Sequence, residues 1–274
     1  MKFVKMQGAG NDYVYVDCFR YKINDPKKVA QIVSDRHFGV GADGLILVCP
    51  SDTADVRMDM YNADGSRGKM CGNGSRCVAK FAYDRGYVKK EEFELETLAG
   101  IRKISLKAEN NKAKSITVDM GSPKLYSKLP ESIFINGIEK EFIGVDMGNP
   151  HAVYFVKSLE ELNSLDLEKI GPFYENHERF APDKVNSEFI YVENDENIHM
   201  RVWERGSGET LACGTGASAS AYACILSNLC KDTINVYLRG GQLKIAYDRI
   251  SDSIFMTGEA VEVFTGEIDI AGEE

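Results

Sequence analysis

Two short segments carry the residues best suited to chemistry: Met70-Cys71-Gly72-Asn73-Gly74-Ser75 and Ala212-Cys213-Gly214-Thr215-Gly216-Ala217. Each leads into a run rich in alanine, serine and apolar residues, 72–84 and 214–226, that reads as a helix. Each cysteine therefore stands where a loop turns into a helix. The first N–H groups of a helix have no partner inside it, and the helix dipole adds partial positive charge there. A thiolate is stabilised at such a place, and the sequence predicts that both thiols ionise below the ordinary value of about 8.5. A carboxylate can dock on the same N–H groups. The glycine after each cysteine removes side-chain bulk and lets a ligand approach the backbone.

Placed face to face, the two turns would set one sulfur on each side of the Cα of a bound α-amino acid. One thiolate would remove the α-proton and the opposite thiol would supply a proton to the other face. The result is inversion at carbon with no redox change. Such a pair holds one proton between two sulfurs and titrates as a unit. The remaining cysteines, Cys18, Cys49, Cys77, Cys224 and Cys230, lack the glycine context and are expected to be buried and inert.

The elements that must position these turns repeat. At an offset of 142 (213 − 71), Met58 meets Met200, Tyr61 meets Trp203, Asn62 meets Glu204, Gly74 meets Gly216 and Ala79 meets Ala221. At an offset of 138 (149 − 11), Gly10-Asn11 meets Gly148-Asn149. Several features recurring in one order predict a duplication into two similar domains. Strand-like runs dominate: 2–5, 13–17, 45–49, 56–61, 93–97, 102–107 and 116–120, then 152–156, 188–192, 198–203, 234–238, 243–247, 254–257 and 260–264. Few helices fall between them, which argues against a doubly wound parallel sheet. Besides the two helices after the cysteines, 25–34 reads as a helix opened by Asp25-Pro26. The many small residues of the two later helices suit burial against strands.

Composition narrows the partners. A net charge of −9 argues against nucleic acid and anionic membrane surfaces. No run approaches the roughly 18 apolar residues of a membrane span, and the start, MKFVKMQGAGNDY, lacks a signal peptide's apolar run. A cytoplasmic protein is expected. Seven cysteines without a C-x-x-C pair, and only four histidines, argue against a disulfide framework and against structural zinc. The segment Gly214-Thr-Gly-Ala-Ser-Ala219 fits a dinucleotide pattern, but a polar loop precedes it where that pattern needs a buried strand.

Six ordered blocks make the sequence resemble diaminopimelate epimerases along essentially its whole length. They are Gly8-Ala-Gly-Asn-Asp-Tyr13, Arg36–Asp43, Tyr61-Asn-Ala-Asp-Gly-Ser66, Met70–Cys77, Met147-Gly-Asn-Pro-His151 and the run from Glu204 to Gly216. The resemblance implies an α+β fold of two similar domains related by a pseudo-two-fold. Each would be a curved, mostly antiparallel sheet wrapped around a central helix. The N-terminal domain would cover 1–117 with the segment 264–274 returning to it, and the C-terminal domain 118–263. It implies interconversion of LL- and meso-diaminopimelate on the route to lysine and a cell-wall precursor, by a homodimer, with neither pyridoxal phosphate nor metal. Cys71 and Cys213 would be the two acid–base thiols, each serving one direction, with His151 and Glu204 tuning their ionisation. Backbone groups of Gly72, Asn73, Gly214 and Thr215 would hold the reacting carboxylate. Asn11, Asn62, Asn149, Asn186, Glu204 and Arg205 would bind the substrate, including its distal amino-acid end. That set suits a zwitterion: Glu204 and amide oxygens accept from an ammonium, and Arg205 can grip a carboxylate through two N–H groups. One departure stands out. Some members carry glutamine where this chain has Gly44, so a side-chain contact to substrate would be missing. Two alternatives remain open at this stage: a proline or histidine racemase with the same two-thiol logic, and a binding protein or isomerase of the same fold with merely structural cysteines.

Overall fold

The computed structural model describes residues 1–272. The chain divides into two units, Met1–Asp119 with the segment returning from Thr257, and Met120–Met256.

In the first unit the strands are β1 (Lys2–Gly8), β2 (Asn11–Asp17), β3 (Gly44–Cys49), β4 (Val56–Asn62), β5 (Arg67–Gly68), β6 (Glu92–Thr97), β7 (Gly100–Glu109) and β8 (Lys112–Gly121), with helices α1 (Pro26–Ser34) and α2 (Gly72–Asp84). β1 runs antiparallel to β2, β2 parallel to β3, β3 antiparallel to β4, and β4 parallel to β6. Two further antiparallel steps add β7 and β8.

The second unit repeats this order. Its strands are β9 (Lys124–Leu125), β10 (Glu131–Ile135), β11 (Ile138–Asp146), β12 (Pro150–Phe155), β13 (Asn186–Asn194), β14 (Asn197–Glu204), β15 (Gly208–Thr210), β16 (Thr233–Leu238), β17 (Gly241–Asp248) and β18 (Ser253–Gly258), the last ending just past the unit. Its helices are α3 (Leu159–Ser164), α4 (Leu167–Glu175) and α5 (Gly214–Leu226). β11, β12, β13, β14, β16 and β17 follow one another as antiparallel, parallel, antiparallel, parallel and antiparallel pairs. This is the β1-to-β7 pattern, so the duplication expected from the two offsets is present in the hydrogen-bond topology. β19 (Val261–Glu267) returns to pair with β1.

α2 lies against β1 to β4, and α5 against β11 to β14, β16 and β17. Their small residues allow this: Ala79 and Ala82 on α2, and Ala217, Ala219, Ala221 and Ala223 on α5, are buried. A helix buried all round brings strand backbones close only when its side chains are short. The outer faces differ. In the first unit α1, capped by Asp25, covers Val14, Val16, Leu45 and Leu47. In the second, α3 and α4 cover Phe142, Tyr154, Phe189 and Trp203.

The sequence reading does not contain the short strands β5, β9 and β15, the 3-10 turn Glu178–Phe180, the hairpin β10–β11, or the helices α3 and α4. The hairpin β10–β11 turns at Asn136-Gly137, both at positive φ, with Ile135 paired to Ile138. This is a two-residue Asn-Gly turn, whose twist matches that of the strands it joins. α3 was also unread, although Ser158 caps it. α4 contains Pro172 and Gly171, residues that discourage a helix assignment. Here the glycine is required: a Cβ on Gly171 would lie 2.2 Å from the Trp203 ring. No helix among the described residues is long and apolar enough to cross a membrane.

Candidate active site

In each unit the candidate cysteine is the N-cap of the central helix, with extended backbone. The Cys71 sulfur accepts from the Gly74 N–H at 3.3 Å and the Cys213 sulfur from the Gly216 N–H at 3.4 Å. A side-chain acceptor at the N-cap satisfies one donor of the first turn. The sequence placed each sulfur at this end, and the glycines at i+3 have a packing reason as well. A Cβ on Gly74 would stand 2.8 Å from Ile46 Cδ1, and one on Gly216 would stand 2.6 Å from Glu188 Oε1.

In the first unit three loops meet at the start of α2. Ala9 and Gly10, both at positive φ, turn the chain between β1 and β2 and deliver Asn11. Asn11 donates to Asp43 Oδ2 at 2.7 Å, and its amide oxygen accepts from the Cys71 thiol at 3.2 Å. Asp43 also accepts from the Asp12 N–H and pairs with Arg36 at 3.0 Å, and its carbonyl accepts from the Ala63 N–H. Burial and the neighbouring Asp12 push the Asp43 carboxyl upward. Asn62 ends β4 opposite Gly44 and donates to the Ser66 hydroxyl at 2.9 Å. The side chain of Asn73 is buried within the first turn of α2. Asn11, Asn62, Cys71, Gly72 and Asn73 thus gather at one end of the sheet.

Gly44 has a packing reason of its own. A Cβ there would lie 2.1 Å from the Tyr61 carbonyl oxygen and 2.8 Å from the Tyr13 ring. β3 and β4 approach too closely here for a side chain on this backbone, and glycine offers none to a substrate. Gly44→Gln is expected to lower stability by about 1–3 kcal/mol or more, as other overpacked cores do. Thermal unfolding checks this, and an unchanged midpoint would refute the close approach.

In the second unit eight expected residues share one neighbourhood. His151, at the start of β12, and Glu188, on β13, are both fully buried, with Nδ1 to Oε1 at 2.6 Å. The Tyr126 hydroxyl donates to the His151 carbonyl at 2.9 Å. Asn149 donates to the Thr215 hydroxyl, which stands 3.4 Å from the Cys213 sulfur. Asn186 is buried; it donates to the Pro150 carbonyl and accepts from the Arg205 N–H at 3.0 Å. The Arg205 guanidinium donates to the Asp183 carbonyl at 2.6 Å and is otherwise exposed. Glu204 accepts from Thr210 at 2.5 Å and interacts with the Cys213 thiol. The buried Gly214 completes the turn.

The electrostatics correct one expectation. Burial, then the Glu204 and Glu188 carboxylates, push the Cys213 thiol well above its ordinary value. The helix terminus does not prevail there, because desolvation and two anions oppose it. Burial likewise raises the Glu204 carboxyl. Among the other cysteines, Cys49, Cys77 and Cys224 are buried as expected, whereas Cys18 and Cys230 are partly exposed. Each of those two hydrogen-bonds a buried partner, Cys49 and Cys224 respectively.

Sequence reasoning missed Glu188, Asp43 and Thr210. Glu188 had a signal: one acidic residue inside the strand run Ser187-Glu-Phe-Ile190, whose interior is expected to be apolar. Asp43 and Thr210 lie inside the blocks Arg36–Asp43 and Glu204–Gly216, but nothing in residue type or spacing singled them out there.

The diaminopimelate epimerase family model matches residues 3–126 and 143–263. A diaminopimelate epimerase of Agathobacter rectalis is 49% identical over 98% of this chain and 100% of its own length. One from Desulfovibrio desulfuricans is 47% identical, covering 97% and 98%. Among solved structures, a PhzF-family phenazine biosynthesis protein of Bacillus anthracis matches with a TM-score of 0.73 at 18% identity, over 98% of this chain and 99% of that one. A hydroxyproline epimerase of Agrobacterium vitis matches with a TM-score of 0.72 at 17% identity, over 97% and 91%. Those two share the fold. The paired N-cap cysteines, the repeated topology and the near-half identity to full-length relatives agree, and the chain belongs to the diaminopimelate epimerase family.

Proposed function

We propose that this protein is a cofactor-independent epimerase that interconverts LL- and meso-diaminopimelate, a step toward lysine and the cell wall, using Cys71 and Cys213 as its acid–base pair. One sulfur, as thiolate, takes the α-proton, and the other, as thiol, returns a proton to the opposite face of the carbon. The observation that carries this reading is that both cysteines cap a helix, where the first N–H groups have no partner within the helix and glycine follows directly. Those donors, at Gly72, Asn73, Gly214 and Thr215, suit the reacting carboxylate and stabilise charge as the proton leaves.

His151 and Glu204 tune the ionisation of Cys213, His151 through its contact with Glu188. Asn11, Asn62, Asn149, Asn186, Glu204 and Arg205 hold the substrate. Arg205 joins the group through Asn186, which supports a substrate with a second charged end. The enzyme works in the cytoplasm as a homodimer. The apolar strip Val261, Val263 and Phe264 exposed on β19 suits a second copy, and light scattering reports the mass.

Incubation in D₂O with LL-diaminopimelate, proline and histidine, each followed by NMR, tests the substrate. Deuterium is expected at the α-carbon of diaminopimelate alone. Label entering only proline or histidine overturns the assignment.

A further inference from the structure

The fully buried charged residues near the two helix starts differ between the halves. Beside Cys213 stand Glu204 and the buried Glu188. The position equivalent to Glu188 is Ile46 (188 − 142), and the two side chains occupy the same place, against the third residue after each cysteine. The reverse holds one turn further along the helix. Arg76 on α2 is fully buried, whereas its counterpart on α5 is the neutral Ser218 (76 + 142). A buried arginine on a helix wrapped in strands is costly, and it keeps its proton.

Its side chain runs back toward the helix start. Nη2 donates to the Asn73 amide oxygen at 2.9 Å, and Nε donates to the Glu259 carbonyl at 3.3 Å. A Cβ on Gly8 would lie 3.1 Å from Nη2, so the guanidinium also closes against the backbone leading to Asn11. Burial lowers the Arg76 guanidinium from its ordinary value, and Cys77 and Cys71 on α2 and Tyr15 on β2 act against that. Burial raises Tyr15 strongly and raises Cys77 to about 11, so both are neutral near pH 7. Tyr13 on β2 and Lys80 on α2 are the further titratable groups nearby. β3 and β4 present Ile46 and Met58. Asn11 accepts the proton of the Cys71 thiol form. The thiolate form keeps the Gly74 N–H and the arginine charge.

We propose that Arg76 is a positioning residue that makes Cys71, and not Cys213, the thiolate of the resting pair. The inference rests on the two-thiol reading above. It also explains the inverted surroundings: a proton shared by two sulfurs needs a default location, and a buried cation at one with two carboxylates at the other provides it. The two directions of the reaction then begin from unequal protonation states.

Iodoacetamide alkylation across a pH series, read at each cysteine by peptide mass spectrometry, tests this without substrate. In the wild type the Cys71 midpoint is expected to lie at least about one pH unit below that of Cys213. Arg76→Met is expected to raise the Cys71 midpoint by about 1–3 units, the effect of removing a nearby opposite charge, and to leave Cys213 unmoved. Arg76→Lys is expected to keep most of the wild-type value, which a purely shape-filling role would not. An unmoved Cys71 midpoint in a folded Arg76→Met protein overturns the proposal, as does a lysine variant that behaves like methionine. If the methionine variant does not fold, the wild-type order and its retention in Arg76→Lys decide, and Cys213 titrating first overturns it. Epimerase assays run alongside separate the two ideas. Normal midpoints with no turnover of diaminopimelate reject the functional reading and leave the role of Arg76 standing.

Discussion

Cys213→Ala is expected to reduce interconversion of LL- and meso-diaminopimelate by about 10^3-fold or more in both directions, with the fold intact, and Cys71→Ala is expected to do the same. Acid–base groups contribute factors of about 10^2 to 10^4, and inversion needs both sulfurs in every turnover. Either loss therefore stops the full reaction whichever direction is measured. Alanine is well tolerated structurally. Each helix start keeps its glycines and backbone donors, and the lost N-cap acceptor costs only about 1 kcal/mol. Each single variant retains one sulfur, so in D₂O it should still exchange the α-proton of one stereoisomer slowly and without inversion. NMR of both stereoisomers, with circular dichroism as the control for folding, gives the answer. Two folded variants that invert the substrate at wild-type rates would sink the two-thiol mechanism.

The second large effect concerns stability. Glu188→Ala is expected to destabilise the protein by about 3–5 kcal/mol, the cost of breaking a buried ionic or charge-assisted pair by removing one member. Glu188 and His151 are both fully buried at 2.6 Å, and each of their outer atoms, Glu188 Oε2 and His151 Nε2, has no other hydrogen-bond partner. Removing the carboxylate strands the imidazole and opens a cavity beside Gly216. Because whole domains are stable by only about 5–15 kcal/mol, this is a large share. The double variant with His151→Leu is expected to recover part of the loss, since two apolar groups leave nothing unsatisfied. Urea unfolding of the wild type, both single variants and the double variant measures the coupling. A loss below about 1 kcal/mol for Glu188→Ala would show that the pair is not held as described.

Local chemistry in the chain accounts for much of this. Cys71 and Cys213 are N-caps because a loop meets an alanine- and serine-rich run directly after each of them, a relation within a few residues that sequence displays. The ends of α2 and α5 were read from the same runs. The strand-rich, duplicated architecture followed from short apolar runs and from offsets of 142 and 138. The Asn136-Gly137 hairpin was equally local and was passed over. α4 was hidden for the opposite reason: Gly171 and Pro172 look like breakers, and only the Trp203 ring pressed against Gly171 explains the choice.

Sequence by itself determined which residues could do chemistry, because residue type and position in a turn set the reach and polarity of a side chain. Tertiary structure alone decided which charged groups stand near each sulfur. A helix start favours a thiolate anywhere, but the field at a buried atom is summed over groups distant in the chain. Glu188 acts on Cys213 from a different strand, and the backbone of Glu259 holds Arg76, whose guanidinium reaches Asn73 in the first turn of α2. Gly44 shows the same limit: its meaning lies in the Tyr61 carbonyl on the neighbouring strand, 2.1 Å from where a side chain would begin. Burial and charge act through space, so two turns of nearly the same sequence meet different electrostatic surroundings from what the fold packs around them.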